Sequence, residues 1–101
     1  MIDVVVLLKI RDQSLFLEFE TKALEILKSY EGKLVSAFEP SQNESSNNNV
    51  DEIHCLRFPS MDEFNAYRAD AELAKLAHLR SEAIEETEIF VSATHKAYGS
   101  P

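Results

Sequence analysis

The chain has 101 residues, 45% of them apolar and 28% charged, and a formal net charge of −8. That length makes one small domain, and the apolar fraction is that of a folded globule rather than a disordered segment. The acidic balance lacks the clustered Lys and Arg that grip a phosphate backbone, so neither nucleic acid nor an anionic membrane surface is an expected partner.

Cys55 is the sole cysteine, which leaves no intramolecular disulfide. The sequence enters an apolar strand directly after Met1, with no basic region ahead of it, so no signal or transit peptide is expected. Its longest apolar run, Val4 to Leu8, is too short to cross a bilayer. A cytoplasmic location follows as the expectation.

Ile2 to Ile10 is almost continuously apolar and rich in valine, which predicts a strand covered on both faces. Asp12 is placed to cap a helix whose buried stripe is Phe16, Phe19, Ala23, Ile26, Leu27 and Tyr30. Glu18, Glu20, Lys22, Glu25 and Lys28 are expected on the wet side. Gly32 reads as the left-handed residue that stops this helix. A short second strand, Leu34 to Phe38, ends at Pro40.

Ser41 to Asn49 is polar and of low complexity, which predicts a flexible hairpin loop. The third strand, Asp51 to Phe58, sets Ile53, Cys55 and Arg57 on one face and Glu52, His54, Leu56 and Phe58 on the other. After Pro59, Ser60 and Glu63 have the spacing of a capping box. Phe64 and Tyr67 face the core from the helix that follows, and Asp70 caps a second helical piece carrying Leu73, Leu76 and Leu79. The last strand is expected from Glu86 to Thr94, and residues 95–101 form a tail without periodicity.

Two βαβ halves without a Gly-rich phosphate loop predict a ferredoxin-like α+β domain over residues 1–94, βαββαβ in order, with a four-stranded antiparallel sheet and both helices on one face. The other face then keeps apolar side chains on every strand, more than a lone soluble molecule usually exposes. A homodimer that stacks two such faces into a dimeric α+β barrel is the expected solution.

Two stretches carry a family resemblance: FLEFETKALEILKSYEGKLVSAFEP, from Phe16 to Pro40, and FPSMDEFNAYRADAELAKLAHLRSEAIEETEIF, from Phe58 to Phe90. In them the chain resembles the dimeric α+β barrel proteins and, among those, the family called domain of unknown function thirteen-thirty. The F-P-S turn, the aromatic-rich helix and Y-R-A-D ahead of a Leu/Ala helix are its marks. The family often has Gly-Gly where Glu31-Gly32 stands here, and often a Pro where Ala71 stands; neither departure breaks the fold. The resemblance implies a cytoplasmic homodimer and supplies no reaction.

Candidate chemistry is sparse. His54 titrates near neutrality and serves as a general acid or base if it faces the cleft between sheet and helices; otherwise it is a core or interface histidine. Cys55 points to the opposite face, so the two cannot form a nucleophile–base pair. Tyr67 and Arg68 could hold an anionic ligand, with Arg57 near them, but Arg68 could equally pair with Glu63, Asp70 or Glu72. His78 and His95 lack metal-ligand spacing, so no metal is expected, and no nucleotide motif calls for a cofactor.

The main expectation is a homodimeric barrel protein binding a small organic ligand, anionic ones included, in the sheet–helix cleft. The alternative is a cofactor-independent small-molecule enzyme of monooxygenase or isomerase type, using His54 with Arg57, Tyr67 and Arg68. A concave apolar pocket with His54 and an arginine turned inward favours the enzyme; a filled cleft favours binding or scaffolding alone.

Overall fold

A computed structural model describes residues 1–44 and 49–99. The chain runs β1 (Ile2–Ile10), α1 (Gln13–Lys28), β2 (Lys33–Phe38), β3 (Glu52–Phe58), α2 (Met61–Arg68), α3 (Ala71–Ala74), α4 (Ala77–Ala83) and β4 (Ile84–Val91). The strands form one antiparallel sheet in the order β2-β3-β1-β4, the ferredoxin-like arrangement, with the helices packed on one side. The expectation of a dimeric α+β barrel is corrected here. The sheet is open, with β2 and β4 as free edges, because β4 pairs with β1 alone and β2 with β3 alone.

Asp12 caps α1 as the sequence predicts: its Oδ1 accepts from the Leu15 N–H at 3.0 Å. The end of α1 differs from the expectation. Glu31, not Gly32, takes the left-handed backbone, with φ 56°. Gly32 is required for a different reason, since a Cβ there would lie 2.7 Å from the Leu27 side chain and 2.9 Å from Phe58. The turn closes where strand and helix touch, and only hydrogen fits.

Ser60 precedes α2 as its cap residue, but its hydroxyl donates to the Glu63 carboxylate rather than accepting a backbone N–H. Asp70 does cap α3, its Oδ1 accepting from Glu72 N–H at 2.7 Å and Leu73 N–H at 3.0 Å, while its Oδ2 accepts from the Tyr30 hydroxyl. The Leu/Ala helix breaks at Lys75 and Leu76, so α3 and α4 are two short pieces. β4 begins two residues before the predicted Glu86, because Ile84 pairs with Ile10 and is buried beside Ala83. It ends at Val91, short of the predicted Thr94.

The core lies between sheet and helices in two clusters. One gathers Leu8, Phe16, Phe19, Ala23, Ala83 and Ile84; the other gathers Val4, Leu27, Phe58 and Phe64. Val4 and Phe58 are wholly buried. On the uncovered face the strands present Val5, Leu7, Ile53, Cys55 and Phe90, flanked by charged side chains including Lys9, Arg57, Glu86 and Glu88. Of the predicted hairpin loop, residues 45–48 lie outside the described residues. The chain returns from it at Asp51, whose N–H donates to Leu8 O at 2.8 Å and whose Oδ2 accepts from Ile10 N–H at 2.7 Å. Among the described residues no helix is long and apolar enough to cross a membrane.

Candidate active site

A cavity of about 360 Å³ opens between the sheet and the helices. Val6, Leu24, Leu56, Phe64, Leu73 and Ile89 supply apolar wall, and Glu20, His54, Tyr67, Arg68, Arg80 and Thr87 supply its polar groups. The volume falls in the range of small-molecule sites, and the mixture of apolar wall with a few polar groups is typical of them.

His54 sits on the helix side of β3, opposite Val6 of β1, and is 5% exposed. Its Nδ1 lies 3.0 Å from Oε2 of Glu20 on α1, and its Nε2 lies 2.9 Å from Oε1 of Glu52 on its own strand. The Phe16 ring meets the imidazole edge-on at 6.0 Å between centroids. Burial pulls the pKa of His54 down, but hydrogen bonds to Glu20 and Glu52, with their charges, outweigh it and leave the value above the ordinary 6.5. Only an imidazolium donates to both carboxylates at once. The arrangement therefore favours the protonated ring, set between two acids in a largely apolar setting.

Tyr67 stands on α2 with its ring against Phe58 at 5.7 Å and Tyr30 at 6.2 Å. Its pKa is pushed up to about 12, first by burial and then by the Glu20 charge, with Arg80 acting in the opposite direction. The hydroxyl has no hydrogen-bond partner among the described residues, and no side-chain polar atom there is both fully buried and unpartnered. It faces the cavity as a neutral donor.

Arg68 ends α2. Its Nη2 donates to Asn65 Oδ1 at 2.9 Å, and its Cζ lies 4.2 Å from the centroid of the Phe64 ring. None of the three carboxylates open to it in the sequence is its partner. Glu63 accepts from Ser60, Asp70 from Tyr30, and Glu72 from Lys75. Arg80 on α4 donates from Nη2 to Thr87 Oγ1 at 2.9 Å.

The structure thus brings His54, Tyr67 and Arg68 to one cavity and leaves Arg57 outside it. Arg57 lies on the uncovered face, where its Nε donates to Asp3 Oδ1 at 2.8 Å. His78 is exposed beside Glu82, and His95 bonds Asp3 at 2.9 Å. Cys55 is a free, half-buried thiol on the face opposite His54. Among the described residues no group of three or more His, Cys, Asp or Glu could hold a metal ion.

Sequence reasoning missed Glu20, Glu52 and Arg80. A signal existed for the first: Glu20 is four residues after Phe16 and three before Ala23, so it lies on the buried stripe. Glu52 is two residues from His54 and must share its strand face. For Arg80 no comparable signal exists, because the break at Leu76 resets the helical phase ahead of it.

Fold and site together define a ferredoxin-like α+β protein in which a buried histidine stands between two half-buried carboxylates, His54 and Glu20 lining a largely apolar cavity. The chain belongs to the family described as Domain of unknown function (DUF1330), whose pattern matches residues 4–94. Among solved structures it is similar to a protein of unknown function from Rhodopseudomonas palustris, at 14% identity and a TM-score of 0.80, covering 95% of this chain and 83% of that one. A protein from Agrobacterium tumefaciens aligns at 23% identity and a TM-score of 0.68, covering 100% and 98%. SnoaB, a cofactor-independent oxygenase from Streptomyces nogalater, aligns at 11% identity and a TM-score of 0.66, covering 98% and 97%. At these identities the likeness shows the fold alone. No curated protein matches the chain by sequence.

The main functional expectation, a homodimeric barrel protein binding a small organic ligand in the sheet–helix cleft, is corrected by these findings. The sheet is open, and the cleft is an open cavity lined by buried His54 and by Arg68 and Arg80, both solvent-exposed, which is nearer the enzyme alternative than a filled cleft.

Proposed function

We propose that this protein is a cofactor-independent small-molecule enzyme whose reaction begins with proton abstraction inside the sheet–helix cavity. The observation that carries the reading is His54, buried on the cavity wall with a carboxylate at each ring nitrogen. A substrate C–H or O–H bond breaks, its proton passes to Glu20, and the electron pair stays on the substrate as an enolate or phenolate. The Tyr67 hydroxyl donates to that oxygen. His54, fixed by Glu52, holds Glu20 in place and spreads the charge of the trio. The anion then is either reprotonated by Glu20 at another carbon, which is isomerisation, or gives its electron pair to dioxygen to form a C–O bond. In that second case the peroxide takes the proton back from Glu20 and loses water to leave a carbonyl, which is the oxygenase outcome. The fold shared with a cofactor-independent oxygenase supports the second branch by analogy only.

The test is deuterium exchange. Enolisable ketones and polycyclic phenols are incubated with the protein in D2O, and label uptake is followed by NMR, with oxygen consumption recorded in parallel. Catalysed exchange that falls at least about 100-fold in Glu20→Gln and His54→Gln is expected, since positioned acid–base groups typically contribute 10²–10⁴. Exchange unchanged in both variants would overturn the reading.

The proposal also includes a second copy of this chain as partner, set on the uncovered sheet face without closing the sheet. Support comes from the apolar centre of that face and from its charges: Lys33 stands on β2 at one edge, Glu86 and Glu88 on β4 at the other. A twofold axis along the strands sets each edge against its opposite. Light scattering checks it, and a monomer at micromolar concentration would count against it. A cytoplasmic location belongs to the same proposal, supported by the free Cys55 thiol, and cell fractionation tests it.

A further inference from the structure

The arginines divide by their partners. The chain has four. Arg57 pairs with Asp3 at 2.8 Å, and Arg11 reaches Glu85 at 4.0 Å, both away from the cavity. Arg68 and Arg80 line the cavity, and among the described residues neither has a carboxylate partner. Both are solvent-exposed, and they stay without an acid partner among those residues in a chain that has 18 acidic residues and a net charge of −8.

Each of the two is held by neutral groups instead. Asn65 and the Phe64 ring hold Arg68, and Thr87 holds Arg80. These contacts fix the side chains while leaving their charges uncompensated. Both guanidinium groups keep donors free, in the planar fork that matches a carboxylate. The field of Arg80 also reaches the Tyr67 hydroxyl, together with that of Glu20, so the arginine and the acid act on one shared space from opposite signs.

We propose that Arg68 and Arg80 form the anion-holding end of the cavity, and that its ligand is a small carboxylic acid with an apolar body. The carboxylate rests on the two guanidinium groups. The body lies along Leu24, Leu27, Leu73 and Ile89, and the end remote from the carboxylate points to Glu20 and His54. The repulsion between the ligand carboxylate and Glu20 sets this orientation, because the reverse pose would bury two like charges together. Arg68 closes α2 and Arg80 lies in α4, so the bound anion also ties the two parts of the broken helix to each other. The orientation toward Glu20 rests on the proton-abstraction reading; the anion site itself does not.

Benzoate and 1-naphthoate, each beside its neutral amide, are the probes. Binding is read by calorimetry and by thermal shift on the full chain. The carboxylates should bind at least about 10-fold more tightly than the amides, the scale of a charge-assisted contact. Arg68→Gln and Arg80→Gln should each remove most of that preference, and Arg80→Lys, which keeps charge without the fork, should retain part of it. Arg11→Gln, on a paired arginine elsewhere, should leave it unchanged. Circular dichroism of the unliganded variants separates lost binding from lost folding, and raised salt should weaken the carboxylates selectively. Equal affinity for acid and amide, or no binding of either, overturns the site, as does a preference that survives both glutamine variants. Carboxylate binding that is intact while deuterium exchange is absent leaves the anion site standing and overturns the proton-abstraction reading alone.

Discussion

Nδ1 of His54, in the sheet, lies 3.0 Å from Oε2 of Glu20, on the helix layer above it. With Glu52 at 2.9 Å on the other ring nitrogen, the imidazole is held between an acid from each layer. This bond joins α1 to β3 across the cavity wall.

The first prediction follows from its sign. The folded-state pKa of His54 is raised above 6.5, so its contribution to stability is fully present below that value. It should be lost as the pH rises from 6.5 through the folded-state value. Urea melts between pH 5 and 9 should show this fall, and His54→Gln should flatten it. Removing one acid, as in Glu20→Gln, should move the imidazole titration seen by NMR downward; an unmoved titration would remove Glu20 as its partner.

Phe58 is the second test. It is fully buried, meets Phe64 at 5.1 Å and Tyr67 at 5.7 Å in tilted ring contacts, and stands beside Gly32. Phe58→Ala should cost about 3–5 kcal/mol by equilibrium denaturation, through lost burial and the void left behind. A loss below about 1 kcal/mol would mean that this cluster is not the packed core described.

The turn after α1 gives a paired prediction of opposite signs. Gly32→Ala drives a methyl to 2.7 Å from Leu27 and should destabilise by about 1–3 kcal/mol. Glu31→Gly relieves a left-handed residue with φ 56° and should stabilise by about 0.5–1 kcal/mol. Thermal melts of the two single variants check both, and the reverse order would assign the glycine's role to conformation after all.

Asp70 is the fourth. Asp70→Ala removes the cap of α3 and the acceptor of Tyr30, and should cost at least about 1 kcal/mol. Asp70→Asn keeps an oxygen for the two backbone N–H groups and should recover most of that loss. Hydrogen exchange should place the increased opening of Asp70→Ala in residues 71–76, over the cavity.

Much of the fold was legible because each strand and helix states its own period. The near-continuous Ile2–Ile10, the Asp12 cap and the stripe through Phe16, Phe19, Ala23 and Leu27 all stand in the structure where local rules place them. The alternation of β3 likewise fixed His54 and Cys55 on opposite faces, and the same alternation puts Arg57 on the Cys55 side, against its expected place beside His54 in the cleft. Local rules failed where a contact came from elsewhere in the chain. Gly32 is a glycine because Phe58, from across the chain, closes on it together with Leu27, and Ile84 joins the sheet because Ile10 is there to receive it.

By itself, then, the sequence determined element order, strand faces and the ferredoxin-like topology, since these depend on periodicity and on residues near one another along the chain. Tertiary structure alone decided that Glu20 and Glu52 flank one buried histidine, that the sheet stays open, and that Arg68 and Arg80 line one cavity with no acid partner among the described residues. The physical reason is distance in sequence: Glu20 and His54 are separated by a helix end, a strand and a loop, and no period links them. Only the packing of α1 on β3 brings their atoms within 3.0 Å.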